Sequence, residues 1–369
     1  MMAPQKDLDI SIIGGGIKGR TLAIALHHRS VPFTLYEQAP AFSEIGASAS
    51  FTPSAVEAMQ CCHGGIHAAF EKVCTRNGWE PKQKLRGVHR AEFLYQLVKL
   101  IPQHVARFNN VLTSISSTAN GKLVVEFLDG TTAEADAIIG CDGIKHRVRQ
   151  ELLQASKTSY SHKYAYKGLI WRKREGSKCM HGHVLAFLVK SGTVMNVVAF
   201  HASDEPWKDS ERHTRTATRA GPLCDFTGYG GLFRPARQSC AFVLSREGLY
   251  IYDAAHATSP HHGAGAGFCI EDSAVLAALL SREAVNSPVE LELVFAVFGE
   301  CRRERGRSFI VDCYESRAEG VGSDLTKIEN EINTRNSIVA DIVVKMCQRA
   351  QGALSRKCSS VTREFSAHI

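Results

Sequence analysis

Twelve cysteines are present, yet no two stand at a C-x-x-C spacing, which removes the usual dithiol redox motif and the usual paired zinc ligands. Cys61-Cys62-His63 sets three candidate ligands side by side without a second pair, a poor spacing for zinc, so no metal is expected. No apolar run approaches the roughly 18 residues of a membrane span. Nothing at the amino end resembles a signal peptide, and the expectation is a cytoplasmic protein with reduced thiols. Internal repeats and low-complexity linkers are missing, as is a basic motif interleaved with aromatics, so nucleic acid is not an expected partner. The net charge of +7 is spread along the chain and suits a phosphorylated cofactor or an acidic small molecule at least as well. Arg302-Arg303-Glu304-Arg305 reads as a solvated helix face. With 369 residues, 44% of them hydrophobic, the chain can bury a sizeable core as two domains or one large domain with an insertion.

What is present begins near the amino end. Leu8, Ile10, Ile12 and Ile13 form the apolar run of a buried parallel strand, and Gly14-Gly15-Gly16-Ile17-Lys18-Gly19 follows at once. In such a strand-turn-helix unit Gly14 allows the tight turn, Gly16 lets backbone approach a pyrophosphate, and Gly19 lets the helix pack on the strand. The helix, with Ile17, Leu22, Ala25 and Leu26 on its inner face, aims its positive end at the phosphates. A second strand, Phe33 to Glu37, ends in a carboxylate 18 residues after Gly19, close to the spacing of an acid that binds a ribose without a 2′-phosphate.

Further along, Lys122 to Leu128 alternates as a strand, Asp129-Gly130 supplies a hairpin turn, and Ala137-Ile138-Ile139 is a buried strand running into Asp142-Gly143. Helices are expected near Ser54 to Met59, Phe93 to Ile101, Ile270 to Leu280, Val289 to Arg303, and Leu325 to about Ala350. Tyr164 to Phe200 is strand-like. A third glycine-rich stretch, Pro260-His261-His262-Gly263-Ala264-Gly265-Ala266-Gly267, follows Asp253.

The three segments, in this order, resemble the single-component flavoprotein monooxygenases of the salicylate and p-hydroxybenzoate hydroxylase type. The stretch from Ala257 to Gly267 is similar above all to the fungal enzymes that tailor polyketides. The resemblance implies an α/β fold: a glutathione-reductase-like FAD-binding domain with a parallel sheet, and a smaller mixed β-sheet region for substrate. It divides the chain into 1–163 and 235–320 for FAD, 164–234 for substrate, and 321–369 for a C-terminal helix and tail. It implies FAD as cofactor, NADPH or NADH as electron donor, O2 as co-substrate and hydroxylation of a phenolic, polyketide-derived aromatic in secondary metabolism.

Roles carried over by the resemblance assign Gly14, Gly16, Gly19, Glu37, Arg90, Asp142, Gly143, Asp253, Gly263, Gly265 and Ala266 to the cofactor. Arg147 and Arg149 extend the Asp142-Gly143 fingerprint, with His146 standing where serine is usual. Pro260 belongs to the loop beneath the flavin ring. Lys167 is the expected cation for the substrate phenolate, where relatives use arginine, and Phe187 and Tyr166 are expected substrate contacts. Three departures support an alternative, a non-catalytic flavin-binding pseudoenzyme. Tyr252 replaces the glycine that precedes the ribityl-binding aspartate, the stretch 232–250 matches poorly, and several dozen residues found in relatives before Arg90 are lacking around 82–86.

Overall fold

The computed structural model describes residues 6–42, 48–76, 86–143, 147–153, 163–171, 183–190, 192–202, 214–217, 242–245, 251–252, 256–257, 265–318 and 342–367. The first half runs β1 (Ile10–Ile13), α1 (Ile17–His27), β2 (Thr34–Tyr36), β3 (Ser48–Phe51), α2 (Pro53–Cys62), α3 (Gly64–Val73), β4 (Cys74–Arg76), β5 (Arg86–His89) and α4 (Arg90–Val98). Then come β6 (Ala106–Arg107), β7 (Leu112–Ser117), β8 (Leu123–Phe127), β9 (Thr132–Ala135), β10 (Ala137–Gly140) and α5 (Arg147–Leu153). The second half adds β11 (Lys163–Trp171), β12 (His183–Val189), β13 (Val194–Ala202), β14 (Thr214–Ala217), β15 (Phe242–Ser245), β16 (Ile251–Tyr252) and β17 (His256–Ala257). It closes with α6 (Gly265–Leu280), α7 (Pro288–Ala318) and α8 (Ile342–Ala367).

Strands β10, β1, β2 and β6 form a parallel sheet in that order. All four residues of β1 are buried, because helices or a second sheet cover both faces of such a strand. Helix α1 is likewise buried from Ile17 to Leu26 except at Lys18, so it is a core helix and not the one-sided helix its sequence suggests. Helix α6 is buried almost throughout and packs on α1, α2 and α8. Thr52 caps α2 by accepting from the Ala55 N–H, with Pro53 at the first helical position, where a missing N–H costs nothing. The Asp129-Gly130 turn forms as expected, with Gly130 at φ +81°.

The second large sheet has the order β12-β13-β11-β15-β14, and each described pairing in it is antiparallel. Its edge strand β12 approaches β4 and β5, which sets this sheet against the start of α4. Helix α8 continues to Ala367, well past the expected end near Ala350, and its described part begins at Ile342.

Arg302 overturns one expectation. Its side chain is 1% exposed, so at Arg302 the expected solvated face gives way to the core. Arg302 donates from Nε to Asp272 at 2.5 Å and from Nη1 to Glu271 at 3.0 Å, and Arg305 reaches the other Glu271 oxygen at 3.2 Å. Lys18 lies 3.7 Å from Asp272. Beside it, Thr21 and Ser273 hydroxyls share a hydrogen bond of 3.1 Å. Burial pushes the Glu271 carboxyl up, but Arg302 and Arg305 outweigh it and hold it below the ordinary carboxylate value. The cluster thus clamps α7, α6 and α1 together. Arg302→Met should cost about 3–5 kcal/mol of unfolding free energy at neutral pH by urea denaturation, since it leaves two buried carboxylates short of a cation. A carboxyl with a depressed folded pKa contributes stability above its unfolded value and loses it as pH falls through the folded one. The gap between wild type and variant should therefore narrow on acidification below about pH 4. Equal stability of the two proteins at pH 7 would overturn the clamp.

Candidate functional site

The turn after β1 is shaped by backbone. Gly14 has φ +106°, and a Cβ there would lie 2.4 Å from the Cys141 carbonyl oxygen. Its N–H donates to Tyr36 O at 2.8 Å, while the Cys141 N–H donates to Ile13 O at 2.7 Å, pinning the turn between the ends of β2 and β10. A Cβ on Gly19 would sit 1.9 Å from Gly14 O, so α1 lies directly on the turn. Gly16 is different: a Cβ there would meet nothing within 4 Å. Gly16 also begins α1 without any side-chain cap. Open space bordered by uncapped N–H groups at the positive end of a helix is the form of a pyrophosphate seat. A second opening lies at Gly143, with φ +73° and nothing near a would-be Cβ.

Glu37 faces the same turn from the end of β2. Its Oε2 accepts from the Gly15 N–H at 2.6 Å and its Oε1 from the Ala39 N–H at 2.9 Å. The carboxylate braces the glycine loop and, with about four lone-pair sites, keeps capacity for a hydroxyl. Asp142 accepts from the Val148 N–H at 3.1 Å, which fixes the start of α5 next to the Gly143 opening. Arg147 points elsewhere, to Thr113 O at 2.8 Å and Glu151 at 3.0 Å, so the expectation that it extends the cofactor fingerprint is not met by its contacts. The Arg149 side chain, His146, Asp253, Pro260 and Gly263 lie outside the described residues. Gly265 and Ala266 open α6 and are half-buried. Because Asp272 and Ser273 hold Lys18, Thr21 and the Lys18 carbonyl, the start of α1 lies against α6 about two turns in from Gly265.

Arg90 is the first residue of α4. One turn later Phe93 packs edge-on against Phe51 and Phe70, with ring centroids 5.5 and 6.1 Å away, which fixes the helix in the core. The adjacent His89 keeps Nδ1 buried without a hydrogen bond to any described residue. Lys167 sits on β11, the central strand of the second sheet, opposite Val198 on one side and Val243 on the other. Burial first, and the Arg90 guanidinium second, pull its ammonium down to about 8. The cofactor arginine and the substrate lysine expected from sequence are therefore close enough to feel each other's charge.

Register sorts the remaining candidates. Side chains alternate along a strand, so Tyr166, which is buried, lies on the face opposite Lys167. Phe187 pairs with Asn196, which pairs with Leu169; these positions are two residues along from Lys167 in the same row. Asn196, 2% exposed, gave no signal in the sequence because a buried strand asparagine has no motif. Arg20 is a second residue missed. It is 2% exposed, donates to Leu94 O at 3.2 Å and lies 4.5 Å over the Phe42 ring, joining α1, α4 and the loop after β2. Beside it a cavity of about 960 Å³ is lined by Arg20, Phe42, Glu92, Tyr95 and Phe108 among others. Neither Glu37 nor Lys167 is in its wall, so it neighbours the nucleotide cleft without being it.

The parallel sheet, the seat at Gly16, the second opening at Gly143 and the braced acid fit an FAD and define a flavin-binding α/β protein with an attached antiparallel sheet. No family model matches the chain. Comparison with individual proteins does. The FAD-dependent monooxygenase pigN of Monascus ruber is 35% identical over 410 aligned residues, covering 91% of this chain and 94% of that protein. The FAD-dependent monooxygenase orf3 of Aspergillus niger is 34% identical, covering 93% and 95%. Salicylate hydroxylase asL1 of Sarocladium schorii is 32% identical over 76% of this chain and 72% of its own length. The chain belongs to the FAD-dependent monooxygenases. Among solved structures, a salicylate hydroxylase substrate complex superposes with a TM-score of 0.76 at 25% identity, covering 93% of this chain and 98% of that one. Klebsiella pneumoniae HpxO complexed with FAD and uric acid gives 0.70 at 19% identity over 95% and 98%, a likeness of fold. The alignment with pigN is longer than this 369-residue chain, so that relative carries residues this chain lacks.

Glu37→Ala and Gly14→Val should each lower FAD occupancy after dialysis. The first loses a charged hydrogen bond worth about 1.5–3 kcal/mol, and the second drives a side chain into the Cys141 backbone. Full flavin content in both variants would remove the seat from this turn. Tyr252 pairs with His256 in a short hairpin. If its side chain crowds the cofactor, Tyr252→Gly should raise flavin occupancy over a weakly coloured wild type, and a wild type already saturated with FAD would refute that.

Proposed function

We propose that this FAD-dependent monooxygenase hydroxylates a phenolic, polyketide-derived aromatic, with NADPH or NADH as the electron donor and O2 as the oxidant. The balance is phenol, O2, reduced nicotinamide and a proton giving diol, water and oxidised nicotinamide. The observation that carries the phenolic reading is Lys167, a half-buried lysine in the central strand of the second sheet, near enough to Arg90 to feel its charge. Among described residues no helix is long and apolar enough to cross a membrane.

On this reading Gly14, Gly16 and Gly19 seat the pyrophosphate, Glu37 takes the adenosine ribose, and Arg90, Asp142 and Gly143 hold the stretch towards the flavin. Gly265 and Ala266 open the helix beneath it. Bound and reduced FAD supplies the activated oxygen. Lys167 does the chain's own share: its ammonium pairs with the substrate oxygen, favours the phenolate and so raises electron density at the ortho and para carbons. Lysine here lacks the planar fork of arginine, leaving orientation to the row that contains Asn196 and Phe187. Residues 1–163 and 235–320 are read as the FAD-binding parts, 164–234 as the substrate region and 321–369 as the C-terminal helix and tail.

The pH dependence follows from the lowered lysine. The cation is present below about 8 and is lost as pH rises through that value, while the phenol ionises unaided nearer pH 10, the value of a tyrosine phenol. Lys167→Met should therefore leave FAD bound and reduce kcat/KM for phenols by about 10- to 100-fold at neutral pH, the equivalent of about 1.4–2.7 kcal/mol. The deficit should shrink as pH is raised. Parallel pH profiles of nicotinamide oxidation for the two proteins would show that Lys167 has no part in substrate ionisation.

A further inference from the structure

Two thiols from distant parts of the chain meet outside the flavin cleft. Cys61 is the penultimate residue of α2 and Cys347 lies in the second turn of α8. Helix α2 packs on α8, and one turn before the two cysteines the Val343 N–H donates to Glu57 at 3.3 Å; this brings the Cys61 and Cys347 thiols within reach of each other, both half-buried at the edge of the main core. Neither helix end is loose. Arg29 donates to the Cys61 and Cys62 carbonyls at 2.5 and 2.6 Å, and α8 is anchored by buried Val343, Ala350 and Leu354. Met346, next to Cys347, touches the buried Arg302 at 3.4 Å.

We propose that Cys61 and Cys347 form a peroxide-sensitive pair that closes a disulfide between α2 and the C-terminal helix. Hydrogen peroxide is the oxidant. The Cys61 thiolate attacks one peroxide oxygen, the O–O bond breaks and hydroxide leaves, giving a sulfenic acid. Cys347 sulfur then attacks the Cys61 sulfur and displaces the second hydroxide. The two thiol protons convert both hydroxides to water, so two thiols and one peroxide give one disulfide and two waters.

The surroundings select this pair over the adjacent cysteine. The Cys61 thiol accepts the hydrogen bond from Cys347, which lowers it against the opposing effects of burial and Glu57, and Arg29 lowers it further. Cys347, the donor, is raised by that bond and by burial. Cys62 is 1% exposed, its thiol is turned to Ile270 O at 3.6 Å, and burial pushes it up to about 12. Cys61 is thus the attacking sulfur, Cys347 the resolving one, and Cys62 inert. A bond between residues 61 and 347 would close most of the chain into one loop and tether α8 to the domain that carries the nucleotide turn, which stabilises the native state.

The full-length flavinated protein, exposed to a small excess of hydrogen peroxide and digested without reduction, tests this directly. The expected product is a crosslinked peptide containing Cys61 and Cys347, lighter by two hydrogens than the separate peptides and abolished by dithiothreitol. Cys62 should remain alkylatable after denaturation. The unfolding midpoint of the oxidised wild type should rise by several degrees, with no rise in Cys61→Ser or Cys347→Ser. Recovery of Cys61 as a sulfinic acid, a Cys61–Cys62 product, or both thiols still alkylated while other cysteines are oxidised would each overturn the proposal.

Discussion

The buried cluster of Lys18, Glu271, Asp272, Arg302 and Arg305 is the constraint on which the site rests. Helices α1 and α6, separated by some 250 residues in the chain, have to be held against each other in one register. Hydrophobic contact alone lets packed helices slide, because apolar surfaces are indifferent to register. Charges with defined partners are not indifferent: a displacement of α6 along α1 would break the Lys18–Asp272 pair and the Thr21–Ser273 hydrogen bond. The ions cost desolvation energy, and their service is to fix position more than to add stability.

The second sheet answers to the same frame. Helix α4 is held by its phenylalanine contacts and by Arg20 from α1, so Arg90 at its start is placed with respect to the glycine turn. Strand β12 at the sheet edge lies against β5, the strand that ends next to Arg90. A lysine on the central strand is then brought towards the cofactor side and is pulled down by burial and by that arginine. The two cations thus stand within each other's field in a poorly solvated space.

Much of the nucleotide half was legible in the sequence. A parallel strand, a glycine turn and an acid near the end of the next strand are local features, each tied to its neighbours by a few backbone bonds, and the structure places Gly14, Gly16, Gly19 and Glu37 around one opening. What escaped was long-range. The basic run at Arg302 reads as a surface stripe because its carboxylate partners stand 30 positions earlier, and α1 reads as one-sided because the helices that cover its outer face come from the far end of the chain. Tyr166 and Lys167 are adjacent in sequence, yet a strand sends them to opposite faces.

The sequence by itself determined the turn chemistry, the class of cofactor and the family, since those depend on which residues can adopt a positive φ, approach a phosphate or end a strand with a charge. Only the tertiary structure decided which charges are buried, that Lys167 and Arg90 share a field, that Cys61 meets Cys347, and that α6 packs along α1. These depend on distances between segments hundreds of residues apart, and such distances are fixed by how the whole core packs and not by any local pattern.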